Sequence, residues 1–273
     1  MTTALGSPQV GLWAPCRTLW HREVVRFLRQ RSRIIGALGT PVIFWLLMGA
    51  GLRQSMRVPG DESGVNYLEF SFGGAIAAIL LFTAIFSMIS LIDDRRDGFL
   101  QGVLVAPVSR AAIALGKILG ATTLAVAQSL VFLLLAPTAG IRLSFVSAAA
   151  TLAAMILIAF AVTSLGFWIA WRMESTQGFH AIMNLVLLPM LVLSGAFFPP
   201  SGSAGWLRAV MAVNPMTYAV DLLRYCLYFQ HETTVITPAS SLPLAISVSV
   251  AFATITFALA IASVTRESAK ALQ

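Results

Sequence analysis

The sequence predicts an all-α membrane protein that crosses the bilayer several times. Of its 273 residues, 58% are hydrophobic and only 11% are charged, whereas soluble domains carry about 25% charged residues. The mean hydropathy is +0.85. Six runs without Asp, Glu, Lys or Arg are each long enough to cross the hydrocarbon core as a helix, which takes about 20 residues. These observations exclude an ordinary water-soluble enzyme and favour a polytopic membrane domain.

Six predicted spans form a transmembrane domain over residues 34–264. A cytoplasmic tail with an interface helix precedes it over residues 1–33, and a short cytoplasmic tail follows it over residues 265–273. The predicted spans are Ile34–Leu52, Phe70–Ile92, Ile118–Ile141, Leu143–Trp171, Phe179–Phe198 and Leu242–Val264.

The distribution of Lys and Arg predicts the orientation of these spans. An even number of spans places both termini on one side, and with that side inside, only five of the 18 basic residues lie outside: Arg53, Arg57, Arg142, Arg208 and Arg224. Cytoplasmic segments of membrane proteins carry the excess of Lys and Arg. We therefore expect both termini in the cytoplasm, at a bacterial-type inner (plasma) membrane. The basic residues surround the apolar runs, so they indicate topology and not nucleic-acid binding.

The first element is predicted to be an amphipathic helix at the inner membrane face. At 100° per residue, four arginines of "RTLWHREVVRFLRQRSR" fall within about 60° of one another, and four apolar residues occupy the opposite side. We expect this helix to lie in the interface, with its arginines toward anionic headgroups or an acidic partner. The alternative is that the arginines act only as topology signals. The arginines are Arg22, Arg26, Arg29 and Arg33, and the apolar residues are Trp20, Val24, Phe27 and Leu28.

A second amphipathic helix is predicted in the loop after span two. Asp93 or Asp94 is suited to cap it, and Pro107 ends it because Ala106 before a proline disfavours the α conformation. Ser109 is placed to cap the helix that becomes span three. One face of the short helix is apolar and consists of Phe99, Leu100, Val103 and Leu104.

That apolar face needs a docking partner, because nothing nearby in the loop can cover it. The simpler interpretation, an ordinary cytoplasmic loop, explains Arg95 and Arg96 but not the apolar face. A metal site at Asp93, Asp94 and Asp97 is disfavoured, since the two arginines lie between these aspartates.

The segment before the last span is predicted to form a broken hairpin on the outer side. "WLRAVMAVNPMTYAVDLLRYCLYF" contains two helical stretches, separated at Asn214-Pro215 and each too short to cross the membrane. They can dip into the outer leaflet and return. Alternatively they lie flat on the membrane, anchored by aromatic residues, namely Trp206, Tyr218, Tyr225 and Tyr228.

The sequence lacks the residues that a self-powered pump or an enzyme would need. No Asp, Glu or Lys lies near the middle of a predicted span; Glu69 and Lys117 lie at span ends. Ion-coupled transporters usually need such groups. There is no phosphate-binding loop, no H-E-x-x-H and no G-x-S-x-G. We therefore expect a non-catalytic chain without cofactor or metal, which depends on another protein for energy.

Three segments carry a resemblance to a known family. They are "LVAPVSRAAIALGKILG" (Leu104–Gly120), "LSGAFFPPSG" (Leu193–Gly202) and "NPMTYAVDLLR" (Asn214–Arg224). In this order, together with the predicted spans, they resemble the permease subunits of ABC-2 type exporters. The resemblance is greatest to daunorubicin-resistance and nodulation-factor exporter permeases, and it covers nearly the whole chain.

This resemblance implies a set of partners and two functional regions. A second permease, either a copy or a paralogue, would complete a substrate path at the dimer interface, and two cytoplasmic ATPase subunits would bind ATP and Mg²⁺. The element from Asp94 to Pro107 would be the coupling helix, whose apolar face enters a groove of the ATPase. An outer gate would consist of Asn214, Pro215, Tyr218, Asp221 and Arg224, the last two able to pair at i, i+3.

The sequence also indicates a class of cargo and leaves two alternative functions open. The small outer loops favour a hydrophobic or amphipathic cargo over a long polysaccharide. The alternative function is a structural or assembly membrane protein that recruits a cytoplasmic partner without transport. An intramembrane enzyme ranks third, because no catalytic group supports it.

Overall fold

The computed structural model of the chain describes residues 11–52, 67–106, 108–200, 203–229 and 238–270, without the side chains of residues 52, 104, 105 and 266–270. Within these ranges the regular structure is entirely helical. The helices are α1 (Trp13–Arg29), α2 (Arg31–Leu52), α3 (Tyr67–Arg96), α4 (Phe99–Val105), α5 (Arg110–Leu133), α6 (Phe145–Ala170), α7 (Thr176–Val192), α8 (Gly205–Val213), α9 (Pro215–Leu227) and α10 (Leu242–Lys270), with a 3-10 turn at Ala136–Ala139.

Five of the described helices are long and apolar enough to cross a membrane: α2, α3, α5, α6 and α10. They correspond to five of the six predicted spans. The remaining predicted span, Phe179–Phe198, is a shorter apolar helix, α7, of 17 residues. It ends at Val192 because the chain turns there, with Gly195 at a φ of 77°. The predicted number of six long spans is therefore reduced to five long helices and one short one.

Helix α3 lies at the centre of the bundle. It packs against α2, α5, α6, α7 and α9, and most of its residues are buried on all sides. A helix that is apolar all round must be buried in this way. Near its N-terminal end the Phe72 ring of α3 meets one ring from α2 and one from α5. Trp45 and Phe72 both lie against Phe132, at centroid distances of 5.2 and 4.7 Å.

The predicted capping residues and boundaries around α4 are partly confirmed. The Ser109 hydroxyl accepts a hydrogen bond from the Ala112 amide at 3.2 Å, so Ser109 caps α5 as predicted, and Ala106 is extended. Asp93 and Asp94, however, do not cap a new helix. They lie in the last turn of α3, which continues to Arg96, and α4 begins only after Gly98, at a φ of 74°.

Helix α1 packs tightly on the start of α5. Its buried residues are Cys16, Leu19, Glu23 and Phe27. A Cβ at Gly116 would lie 2.7 Å from the Leu19 Cβ and 2.9 Å from the Cys16 carbonyl oxygen, so this contact requires glycine. Small residues four apart allow helix backbones to approach closely, and Gly120 lies one turn further along the same contact.

The buried face of α1 differs from the predicted one. Of the four apolar residues expected to share a face, Phe27 is buried, but Leu28 is 57% exposed. The side that packs into the protein is rotated toward Glu23, because the glycines of α5 accept a close neighbour there. The helical periodicity of the sequence predicts which side of α1 is apolar, but it does not predict that the buried side is rotated away from it.

The broken hairpin is confirmed at Asn214-Pro215. Asn214 ends α8 and caps α9, accepting a hydrogen bond from the Met216 amide at 3.0 Å. Helix α9 packs against α3, α6 and α10. The hydroxyls of Tyr225 and Tyr228 donate to the backbone oxygens of Ser240 and Glu69, each at 2.7 Å. These two tyrosines therefore bond within the protein, which differs from the alternative in which they anchor helices lying flat on the membrane.

Replacing Gly116 with alanine tests the contact between α1 and α5. We expect Gly116→Ala to lower the free energy of unfolding by about 1–3 kcal/mol, because the added methyl group forces α1 outward. Gly51→Ala is the matched control, since its Cβ would meet nothing within 4 Å and alanine favours a helix by up to about 1 kcal/mol. Thermal unfolding in detergent, followed by tryptophan fluorescence, gives both values. Equal midpoints for the two variants would contradict the close approach.

Candidate functional site

A group of buried ions joins α1, α3 and α5 at the end of the bundle that carries α4. Lys117 donates hydrogen bonds to Glu23 Oε1 at 2.6 Å and to Asp94 Oδ2. Ser90 donates to the other oxygen of Glu23 at 2.5 Å. Lys117, Asp94 and Glu23 are all at most 5% exposed. We refer to Glu23, Asp94 and Lys117 as the ion triad.

Two arginines of α1 complete the surroundings of Asp94. Arg22 binds it with both terminal nitrogens, at 2.6 and 2.8 Å, and Arg26 donates to Oδ1 at 2.5 Å. The hydrogen bond to Asp94 raises the pKa of the Arg22 guanidinium above its ordinary value. One turn of α2 joins the same cluster, because Arg33 donates to Asp93 at 3.1 Å. The bond of Arg22 to Asp94 is bidentate and charge-assisted, and bonds of this kind are the strongest hydrogen bonds that side chains form.

The arrangement makes the relative positions of three helices interdependent. Burying an unpaired ion is costly, and breaking one buried pair costs about 3–5 kcal/mol. Each member of the ion triad lies on a different helix: Glu23 on α1, Asp94 on α3 and Lys117 on α5. Withdrawal of any one of these helices would break at least one buried ion pair. The described side chains contain no group of three His, Cys, Asp or Glu that could hold a metal ion.

Helix α4 touches this cluster through Phe99. The Arg22 guanidinium carbon lies 3.7 Å from the centre of the Phe99 ring, a favourable cation–π distance. Phe99 is 36% exposed, whereas Leu100 is 2% exposed and belongs to the core. Val103 is half-buried against that core. The predicted docking face therefore loses Leu100, which the chain itself covers.

The other predicted residues of this region are placed as follows. Asp94 is fully buried and faces the cations of α1 and α5, so it does not lie on the surface of α4. Arg29 is exposed and lies outside the ion cluster. Pro107 and the side chain of Leu104 fall outside the described residues.

Two residues of the ion triad, Glu23 and Lys117, were absent from the predicted site. Helix α5 begins at Arg110, two turns before the predicted span, so Lys117 lies inside a buried helix and not at a span end. A signal for Glu23 did exist, since it is the single acidic residue among the six arginines of residues 17–33. A signal for Lys117 was its position between Gly116 and Gly120, because small residues four apart allow another helix to pack closely at that point.

The residues predicted to form an outer gate make separate contacts. Asn214 bonds to α7, whereas Asp221 and Arg224 bond to other parts of the chain. The Asn214 side chain donates to the Met190 oxygen at 2.6 Å and so ties the hairpin to α7. Asp221 and Arg224 approach only to 4.0 Å, because each has better partners. Asp221 accepts from the amide and hydroxyl of Ser240, at 2.9 and 2.7 Å.

Arg224 links the hairpin to two other parts of the bundle. It is 2% exposed and donates to the Gly195 oxygen at 2.7 Å. Its guanidinium carbon also lies 4.4 Å from the centre of the Phe70 ring of α3. Tyr218 lies apart from this contact, donating to the Ala212 oxygen across the hairpin bend at 2.7 Å. Pro215 is the first residue of α9, where a proline is well tolerated.

The helical bundle with its long apolar helices defines a multi-pass membrane protein. Its class follows from comparison with known families. The chain belongs to the ABC-2 type transporter family, whose sequence profile matches residues 15–228. That range begins in α1 and ends just after α9, so it includes the ion triad and the hairpin of α8 and α9.

Several curated relatives are similar over most of their length. A putative transport permease ycf38 of Cyanophora paradoxa is 28% identical over 214 residues, covering 76% of this chain and 72% of the relative. Nodulation protein J of Rhizobium meliloti (strain 1021) is 27% identical over 209 residues, covering 76% of this chain and 78% of the relative. Membership of the ABC-2 type transporter family is thus in agreement with the resemblance carried by the three sequence segments.

Neutralising Asp94 tests the cost of breaking the ion cluster. We expect Asp94→Asn to lower the free energy of unfolding by about 3–5 kcal/mol, because Lys117 and two arginines lose their shared carboxylate. Asp93→Asn is the matched control. The Asp93 side chain is 26% exposed, so its loss should cost about 1 kcal/mol or less. Thermal unfolding of purified protein in detergent measures the difference, and equal losses would contradict the central position of Asp94.

Asn214 is expected to stabilise the hairpin of α8 and α9 through two separate hydrogen bonds. Asn214→Ala removes the cap of α9 and the bond to Met190, which should cost about 1–2 kcal/mol. Asn214→Ser keeps a capping oxygen but loses the amide donor, so its cost should be smaller. Proteolysis of the hairpin under native conditions, quantified by mass spectrometry, reports local opening. The cap would be unimportant if the serine and alanine variants opened equally.

Proposed function

We propose that this chain is the membrane-spanning permease subunit of an ATP-driven exporter. In this proposal it forms the substrate path as a dimer and is driven by two separate cytoplasmic ATPase subunits, which bind ATP and Mg²⁺. Membership of the ABC-2 type transporter family over residues 15–228 is the observation that carries the proposal. The relatives named transport permeases support a non-catalytic role in transport.

We further propose that α7 is the sixth crossing. Its 17 residues span about 25 Å at 1.5 Å per residue, which is at the lower end of what a crossing requires. Six crossings place both termini on one side, and the distribution of Lys and Arg favours the cytoplasm of an inner membrane. In this orientation α4 and the ion triad lie at the cytoplasmic end, and the hairpin of α8 and α9 lies at the outer end.

In the proposed complex, α4 is the coupling helix and Phe99 is its main contact with the ATPase. Phe99 and its neighbours Gln101 and Gly102 are exposed, so the part of the ring that Arg22 does not cover can contact a groove of a partner. Aromatic residues that fill such pockets often dominate the binding energy of an interface. Leu100 is left out of this contact because it is buried in the core.

Helix α1 is proposed to lie at the inner interface and to contact lipid beside the bundle. A groove of about 480 Å³ runs along its basic side, lined by His21, Arg22, Val25, Arg26, Arg29 and Gln30. Trp13 and Leu28 are 74% and 57% exposed. Arg22 and Arg26 are bound to Asp94, so Arg29 is the exposed arginine of this groove. An exposed arginine and an exposed apolar edge on one helix are typical of a helix at an anionic membrane surface.

The outer hairpin is proposed as the gate on the outer side. Its residues Asn214 and Arg224 bond to α7 and to the turn after it, so movement of α7 and of the hairpin would be linked. The remaining proposed gate residues are Pro215, Tyr218 and Asp221. Between the two ends the bundle is mainly apolar, which suits a hydrophobic or amphipathic cargo.

The first experiment identifies the partner of the unaltered chain. A tagged chain is purified from its native membrane in mild detergent, and stoichiometric partners are identified by mass spectrometry and assayed for ATP hydrolysis. We expect a soluble chain that carries a phosphate-binding loop of the G-x-x-x-x-G-K-[ST] type. Recovery of the permease without such a chain would contradict the proposal and favour the alternative, a structural or assembly protein.

The role of Phe99 is tested by truncating its ring. We expect Phe99→Ala to reduce the affinity for the ATPase about 30-fold, which corresponds to about 2 kcal/mol, the usual threshold for a dominant interface residue. Phe145→Ala is the matched control, because Phe145 is 90% exposed and begins α6, far along the chain from α4. Titration of the purified ATPase onto the permease in detergent measures both affinities. Unchanged affinity of Phe99→Ala would exclude Phe99 as the main contact.

A further inference from the structure

We propose that Lys117 and Glu23 are positioning residues that transmit the movement of α4 to α5. This inference rests on the proposed function, since it requires an ATPase that displaces α4. It assigns a role in transport to two residues that lie outside the exposed coupling surface. The path has two steps, from α4 to Asp94 and from Asp94 to α5.

The first step runs through Arg22. Its guanidinium stacks on the Phe99 ring of α4 at 3.7 Å and at the same time binds both carboxylate oxygens of Asp94 on α3. Only Asp97 and Gly98 separate α3 from α4. A push on Phe99 therefore acts on the end of α3 directly and on α1 through Arg22.

The second step runs through the ion triad. Lys117 of α5 donates to Asp94 of α3 and to Glu23 of α1, so α5 is bound to both helices that α4 moves. Helix α5 in turn packs against α6 and α10. The hydroxyls of Thr122 and Thr163, 3.0 Å apart, connect α5 to α6 in the interior. Displacement of α5 would thus reach the side of the bundle remote from α4.

Ions suit this task better than apolar side chains do. Apolar surfaces are non-directional and can slide with little change in energy, whereas a displaced buried ion loses partners that the protein interior cannot replace. The close contact at Gly116 and Gly120 also prevents α1 from sliding inward. The described parts of α1, α3 and α5 are therefore expected to move together at this end.

A charge-balanced double variant separates transmission from folding. Glu23→Gln/Lys117→Met removes one buried charge of each sign, and Asp94 keeps Arg22 and Arg26 as partners. Replacing a buried ion pair with groups of similar volume is often neutral for stability. Arg172→Met/Glu174→Gln is the matched control, because it removes the same two charges from exposed positions between α6 and α7.

The readout is the ATP-driven movement of α5 and does not depend on the identity of the cargo. Spin labels are placed at Leu134→Cys, just after α5, and at Val213→Cys, at the end of α8, both exposed positions. Cys16 and Cys226 are replaced by alanine. The distance between the labels is measured by pulsed electron paramagnetic resonance in the complex with the co-purified ATPase, without nucleotide and after trapping with ATP and vanadate.

We expect a nucleotide-dependent shift of this distance in the unaltered complex and in the exposed control. The double variant should lose the shift while it retains the partner, its ATP hydrolysis and its unfolding midpoint. Lys117→Arg, which keeps the positive charge, should restore at least part of the shift relative to Lys117→Met. A full shift in the double variant would overturn this inference and leave the proposed function intact.

Two further outcomes are also decisive. Loss of both the shift and the partner in the double variant would show that the ion triad holds the docking surface together, which contradicts a transmitting role. Failure of the unaltered chain to bind any ATPase would overturn the proposed function and this inference together.

Discussion

The convergence of three cations on Asp94 is the constraint on which the cytoplasmic end of this structure depends in our proposal. Lys117, Arg22 and Arg26 all bind this one buried carboxylate. In a bundle held elsewhere mainly by apolar contacts, which are non-directional, these bonds are directional and difficult to exchange. They determine how α1, α3 and α5 meet, and therefore where α4 emerges from the bundle.

The opposite end of the bundle is organised by the same physical rule with different groups. There Arg224 is buried against Phe70 and the Gly195 oxygen, while Asp221 holds the segment that leads into α10 through Ser240. Buried charges are retained in proteins where they have specific partners. Both ends of the bundle thus have defined polar contacts, and the apolar middle joins them.

Much of the fold and part of the candidate site could be predicted from local sequence signals. The capping by Ser109 and the break at Asn214-Pro215 depend on neighbours within a few residues. Both features can therefore be predicted from the local sequence. The arginines of α1 show the limit of such signals. Periodicity predicted that Arg22 and Arg26 share a side, but it could not tell whether that side meets headgroups, a partner or Asp94, which is about 70 residues away along the chain.

The sequence by itself determined the membrane class, the existence and approximate positions of five long helices and the family resemblance, because composition, apolar length and short motifs are properties of contiguous residues. Tertiary structure alone decided which charges are buried together. In the sequence Glu23 looks like an ordinary charged residue of the interface helix and Lys117 like one at a span end. Only the close packing of α1 on Gly116 and Gly120 brings Glu23 to Lys117, which also binds Asp94. The pairing of ions depends on distance in space, which a linear pattern does not contain.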